Sequence, residues 1–206
     1  MIQFSGQLVA VKLNAEREGK ALAMKYRVSG FPTVLYLDAD GGEWGRMPGF
    51  LPAPEFLQLA GDALKQYKGQ PALEAKLKQN PTDSALAAEL TQRLTRQGNE
   101  TKALWAAGLL TKAPQSSKYA SAYIGMGRLY LRKEKGAKAR PWFQKALALS
   151  TGAEDKAYGH LGLALCYVAE RNSKAARAEL NALLRVPDAP PGIQEKARSL
   201  LEQIPN

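Results

Sequence analysis

One cysteine, Cys166, and one histidine, His160, occur in 206 residues. A lone thiol cannot close an intramolecular disulfide. So few ligands also cannot assemble the cysteine-rich or Cys/His sets of structural zinc sites, so no metal or other cofactor is expected. No apolar run approaches the roughly 18 residues that a membrane-spanning helix needs. The opening Met1-Ile2-Gln3-Phe4-Ser5-Gly6 lacks the basic segment and apolar stretch of a secretory signal, which leads to the expectation of a cytoplasmic protein as the sequence stands. Paired carboxylates suited to acid–base chemistry are not evident either, since turn chemistry accounts for Asp38 and Asp40. The expected catalytic set is therefore empty. With 45% hydrophobic and 23% charged residues, the chain has enough apolar material for packed cores and is not expected to be disordered.

Charge is abundant but uneven. The formal net charge is +10, of which residues 1–69 contribute +1 and residues 70–206 contribute +9. Long-range attraction from the second part favours an acidic partner. The sequence shows no aromatic interleaving of basic residues and no known nucleic-acid module, so neither nucleic acid nor membrane is expected as the partner.

The chain changes character near residue 69. Residues 8–14, Leu-Val-Ala-Val-Lys-Leu-Asn, read as a buried strand. Residues 19–28 read as a helix with Leu22 and Tyr26 on one face, ended by Gly30. Residues 33–39 and 43–50 read as strands joined by a turn at Asp40-Gly41-Gly42. Pro52 and Pro54 open a helix that should run to about Tyr67. Beyond Gly69 strand-like runs vanish, and leucine and alanine recur at helical spacing. Residues 70–79, followed by Asn80-Pro81, read as a separate leading helix, and residues 190–203 as a closing one.

The stretch Arg27-Val28-Ser29-Gly30-Phe31-Pro32-Thr33 leads into an apolar strand and resembles the cis-proline loop of the thioredoxin superfamily. Asn14-Ala15-Glu16, Asp38-Ala39-Asp40-Gly41 and Gly49-Phe50 add to the resemblance. It implies the C-terminal two-thirds of a thioredoxin-like fold over residues 1–68, with Ile2-Gln3-Phe4 as the tail of a preceding helix. The strand and helix that carry Cys-x-x-Cys in that family would lie before Met1. The absent strand would be central, between 8–14 and 33–39. Three ways of healing the gap follow: direct parallel pairing of those two strands across a helical crossover, a homodimer formed edge to edge, or support from the 70–79 helix. Direct pairing together with self-association is the favoured expectation. By the same resemblance, Gly30, Phe31, Pro32 and Thr33 could form a peptide-binding edge.

The helical part repeats itself. Tyr123-x-x-Met126-Gly127-x-x-Tyr130, followed by Ala139, Phe143 and Ala146, superposes at an offset of 35 on Tyr158-x-x-Leu161-Gly162-x-x-Leu165, followed by Ala175 or Ala176 and then Ala182. Leu90, Leu94, Ala103 and Ala107 form a poorer copy within residues 82–114. These lines resemble the tetratricopeptide repeat, and Gly127 and Gly162 are expected to let the two helices of a repeat approach closely. Pro141 falls early in a second helix, where it should delay or kink it. The expected fold is thus α/β plus all-α: an incomplete thioredoxin-like domain over 1–68, then a tetratricopeptide-like solenoid with a closing helix over 69–206. The whole is similar to bacterial thioredoxin–tetratricopeptide fusions.

Several side chains invite a functional reading. Arg128, Arg132, Lys133, Lys135, Lys138 and Arg140 form a basic run through the middle repeat and could contact an acidic protein or peptide. The carboxylate clamp of some tetratricopeptide domains needs lysine and asparagine at groove positions. Those positions here hold Ala88, Gln92 and Gly125, and only Lys156 fits. Cys166 reads as a packed core residue, and His160 as a surface or groove residue without an evident partner. The expected function is a non-enzymatic interaction module in which the helical array recruits a partner and the thioredoxin-like part is redox-inactive. The alternative is a fragment of a thiol–disulfide oxidoreductase whose Cys-x-x-Cys lies upstream of Met1.

Overall fold

The structure, a computed structural model, describes residues 6–39 and 41–205. It divides into two compact units, Met1–Pro71 and Ala72–Asn206. The expected helix tail at Ile2-Gln3-Phe4 and the turn residue Asp40 lie outside the described residues.

The first unit is built on a hairpin. Strands β1 (Thr33–Leu37) and β2 (Glu43–Pro48) pair antiparallel, with Thr33 opposite Pro48 and Tyr36 opposite Gly45. The register shifts after Tyr36, because Leu37 faces Glu43 and Trp44 is the extra residue of a bulge. Trp44 donates its indole N–H to Asp38 Oδ2 at 3.1 Å and meets the Tyr67 ring edge-on at 4.9 Å. Gly41, at φ +78°, supplies the left-handed residue of the turn, and Asp38 Oδ1 accepts from the Gly42 N–H at 2.6 Å. The Phe31–Pro32 peptide bond is cis, and the Pro32 carbonyl accepts from the Gly49 N–H at 2.7 Å, closing the end of the hairpin.

Helix α1 (Lys20–Lys25) is shorter than the sequence suggests. It ends before Gly30, at Arg27, which takes the left-handed conformation (φ +51°) while the Val28 N–H bonds the Ala23 carbonyl. This is a Schellman turn on a residue other than glycine.

Residues 9–14 carry no strand ladder, which corrects the strand expected over 8–14. Among the described residues the sheet has two strands only. Direct pairing across the gap would require α1 to shift with the strand it follows. The far end of α1 is tied to the hairpin: Arg46 donates to the Tyr26 and Arg27 carbonyls, and the Tyr26 hydroxyl donates to the Gly41 carbonyl at 2.9 Å. Among the described residues no strand pairs with residues 9–14, and Val9 and Val11 are 93% and 71% exposed. Met47, Ala60 and Ala63 are the buried hydrophobic residues of this unit among those described, a small core for about 70 residues.

Helix α2 (Ala53–Gln79) is continuous, where the sequence suggests a break near Gly69 and a second helix over 70–79. Pro71 lies inside it and removes one backbone donor without ending it. The division between the units falls within this helix.

The second unit is helical throughout its described residues. Helices α3 (Ser84–Arg96) and α4 (Glu100–Lys112), α5 (Ala120–Arg132) and α6 (Gly136–Leu149), and α7 (Ala153–Ala169) and α8 (Ser173–Leu184) pack as successive pairs. The first helix of each pair also packs on the first helix of the next, and α9 (Pro191–Gln203) closes the row against α8. Helix α6 runs through Pro141 without delay; the carbonyl that loses its partner belongs to the exposed Ala137.

The three pairs turn in one way. Gly98, Glu134 and Arg171 each take positive φ, and the N–H of the following residue bonds back to Leu94, Tyr130 and Tyr167 respectively. These landmarks lie 36 and then 37 residues apart, so the offset of 35 that aligns the first helices does not extend to the second. The buried residues of α8 are accordingly Ala176, Leu180 and Leu183, not Ala175 or Ala182.

Gly127 acts as expected, between the two helices of its own pair, while Gly162 acts between one pair and the next. A Cβ at Gly127 would lie 2.6 Å from the Phe143 ring, and one at Gly162 would lie 2.2 Å from the same ring. Phe143 of α6 is thus held between its own pair and the next one. In the first pair the landmark spacing puts Thr91 where Gly127 stands and Ala107 where Phe143 stands, and both are buried. The large and small partners have exchanged places, which makes this copy the poorer match in the sequence.

Candidate functional site

A groove of about 280 Å³ lies across the first helices of the three pairs. Gln92, Thr95 and Arg96 of α3 form one side; Ser121, Ile124, Gly125, Arg128 and Arg132 of α5 form the floor; Glu154, Asp155 and Tyr158 of α7 form the other side. The spacing of three and four residues along each helix puts these side chains on one face. Gly125 brings α5 close to α3, since a Cβ there would lie 2.7 Å from Thr95 Oγ1.

The groove is charged at both ends. Arg128 lies over the Tyr158 ring at 4.0 Å, a cation–π contact that aims the guanidinium across the groove. Among the described residues no carboxylate or carbonyl accepts from it. Arg132 donates to the Thr95 carbonyl and so also braces α5 against α3. Arg96 donates through Nε to the Gln92 carbonyl at 3.3 Å. On α7, Asp155 accepts from the Ser121 hydroxyl at 3.0 Å, while Glu154 is exposed and makes no ion pair among the described residues.

The basic residues expected to act together are split by the fold. Arg128 and Arg132 line the groove. Lys133 and Lys135 instead reach Glu100, at 2.8 and 3.3 Å, and tie the second pair to the first. The hydrogen bond from Lys133, followed by that from Lys135, holds the Glu100 carboxyl below its usual range. Arg140 pairs with Glu170 at 3.0 Å, linking the second pair to the third. Lys156 lies on α7 outside the groove lining, and Lys138 is exposed. Arg96, Glu154 and Tyr158 were missed in the sequence, where a pattern of polar residues recurring on the first helices would have marked them.

The remaining candidates fall elsewhere. Gly30, Phe31 and Pro32 are exposed at the hairpin end, and the Thr33 hydroxyl donates to the Gly30 carbonyl at 2.6 Å. Phe31 presents its ring to solvent. Cys166 is fully buried in the helical core, and burial pushes its thiol up to about 11. His160 has a partner that the sequence does not reveal: its Nδ1 lies 2.8 Å from Glu179 Oε2 on α8. Among the described residues no cluster of three or more potential metal ligands occurs, and no helix is long and apolar enough to cross a membrane.

Residues 4–64 match the family model of a thioredoxin-like domain. No curated protein and no solved structure matches the chain.

Proposed function

We propose that the chain is a protein-interaction module, in which the helical array recruits an acidic protein or peptide and is joined to a redox-inactive thioredoxin-like domain. The groove with Arg96, Arg128 and Arg132 carries this reading. It is supported by the stacking of first helix on first helix and by the resemblance of the array to tetratricopeptide repeats. The same composition in one chain resembles bacterial thioredoxin–tetratricopeptide fusions. A soluble partner met in the cytoplasm fits the sequence as it stands. The proposed peptide edge at Gly30, Phe31, Pro32 and Thr33 is a second contact of the same kind, favoured by the exposed Phe31 ring.

Fluorescence polarisation with labelled poly-glutamate tests the reading. Binding should weaken by about tenfold or more between low and high salt and fall similarly in Arg128→Glu. Salt-independent binding, or an Arg128→Glu variant as tight as the parent, would reject it. Insulin reduction by dithiothreitol tests the redox half: turnover above that of Cys166→Ala would contradict inactivity.

A second reading is a piece of a thiol–disulfide oxidoreductase whose Cys-x-x-Cys lies upstream of Met1. The strand-like composition of residues 8–14, with no ladder partner for residues 9–14 among the described residues, favours it. An in-frame strand and Cys-x-x-Cys in the DNA before Met1 would support it, and an in-frame stop codon there would end it.

A further inference from the structure

The groove lining is not uniformly basic, and the two signs are separated along its length. The cations stand at the C-terminal ends of α3 and α5: Arg96 is the last residue of α3, and Arg128 and Arg132 lie in the last turns of α5. The anions Glu154 and Asp155 stand in the first turn of α7, and Asp155 is held beside Ser121 in the first turn of α5. Along the α5 backbone, Ser121 and Arg128 are seven residues apart, about 10 Å at 1.5 Å per residue. An extended chain covers that distance in about three residues.

Arg128 and Glu154 have environments that leave their charge available to a ligand. The Arg128 guanidinium rests over the Tyr158 ring, 4.0 Å from its centroid, which holds it in place without neutralising it. Glu154 is exposed at the rim. A uniformly acidic segment would satisfy Arg128 and Arg96 but would bring like charge against Glu154 and Asp155. A segment with one carboxylate and one cation would satisfy both ends.

We propose that this groove selects an extended peptide segment carrying a carboxylate and a cation about three residues apart, the carboxylate set against Arg128 and Arg96 and the cation against Glu154 and Asp155. The inference rests on the reading of the groove as a partner-binding site. It adds that the partner, acidic over its whole surface, is held through a locally dipolar segment.

Labelled serine–threonine peptides measure this on the full chain at near-physiological salt. One carries Glu and Arg three residues apart, a second has Gln in place of that Arg, and a third has Glu and Arg adjacent. The first should bind about tenfold more tightly than either of the others. Glu154→Gln should remove that advantage while leaving the peptide that lacks Arg unaffected or slightly tighter, and Arg128→Gln should weaken both. If the peptide lacking Arg binds as tightly as the first, or if Glu154→Gln improves all three alike, the dipolar selection is wrong and the acidic-partner reading stands. If none binds and poly-glutamate also fails, both fall.

Discussion

Adding one methyl group at Gly162 should destabilise the helical unit, although alanine is the better helix former. The propensity gain from Gly to Ala inside a helix is about 1 kcal/mol. Against it stands the Phe143 ring, which the new Cβ would meet at 2.2 Å, far inside contact distance. A ring at a surface would swing away. Phe143 is 1% exposed, and its other side is closed by Gly127, where a Cβ would already be 2.6 Å distant. Overpacking of this kind costs about 1–3 kcal/mol, and the upper part of that range applies to a ring this enclosed, so a net loss of up to about 2 kcal/mol is expected for Gly162→Ala. Gly127→Ala should lose less. The double variant should lose more than the sum, because the ring cannot retreat from one methyl without meeting the other. Urea unfolding followed by helical circular dichroism measures all three, and in a thermal melt the midpoint temperature should fall by about 3 °C per kcal/mol. Gly108→Ala is the control: it lies in α4 with nothing within 4 Å of its Cβ position, and it should gain stability. Phe143→Leu in the Gly162→Ala background should recover part of the loss. A Gly162→Ala variant that gains stability as Gly108→Ala does would refute the shared-ring packing.

Five further outcomes are expected. Glu134→Gly and Arg171→Gly should each stabilise by up to about 1 kcal/mol in the same urea assay, because these positions hold φ of +59° and +56°; destabilisation would mean the turns are not left-handed. Cys166 should resist Ellman's reagent at pH 8 and react only on unfolding, since burial holds its thiol at about 11; fast native labelling would contradict that. The same shift means that the thiol's contribution to stability is complete below about 9 and is lost as the pH rises through about 11, so Cys166→Ala should flatten stability over that window. Glu100→Gln should lower stability by about 0.5 kcal/mol at neutral pH. Because the Glu100 carboxyl is shifted down, the loss should fade as acid protonates it below its usual range near 4.5. Self-association through the exposed segment, if it heals the open sheet, should appear by sedimentation at micromolar concentration and be reduced by Val9→Lys with Val11→Lys; a parent that stays monomeric would dispose of the dimer.

The general architecture was legible because it rests on local patterns. The β1–β2 hairpin announces itself by an apolar run and an Asp-Gly turn, and the helices by their 3.6-residue periodicity. What the sequence hid depends on residues far apart in the chain. Residues 8–14 have strand composition, but a strand is made by its partner, and the pinning of α1 by Arg46 cannot be seen in a string of letters. The ends of α1, α5 and α7 carry arginine or glutamate in the left-handed position, so the glycine that usually marks such a turn was missing. The expected break near Gly69 failed because nothing within 4 Å or in the local φ demands that glycine, and the helix simply continues. In the groove, Arg128 was found through its charge. Its neighbours Tyr158 and Glu154 come from another pair, 30 and 26 residues away. Lys133 and Lys135 looked free for the same reason: Glu100 belongs to the preceding pair.

The exchange of bulk between the pairs, Thr91 and Ala107 in one against Gly127 and Phe143 in the next, bears on how such an array can change over time. Repeats of equal shape can be duplicated, deleted or shuffled, since any copy fits any neighbour. Here a copy of α6 placed after α3 would drive a phenyl ring toward a threonine, and a copy of α4 in front of α7 would leave Gly162 facing a void. The pairs have acquired an address. The array can lengthen only at its ends, where α9 covers α8, and drift at Phe143 is answerable to two glycines 35 residues apart.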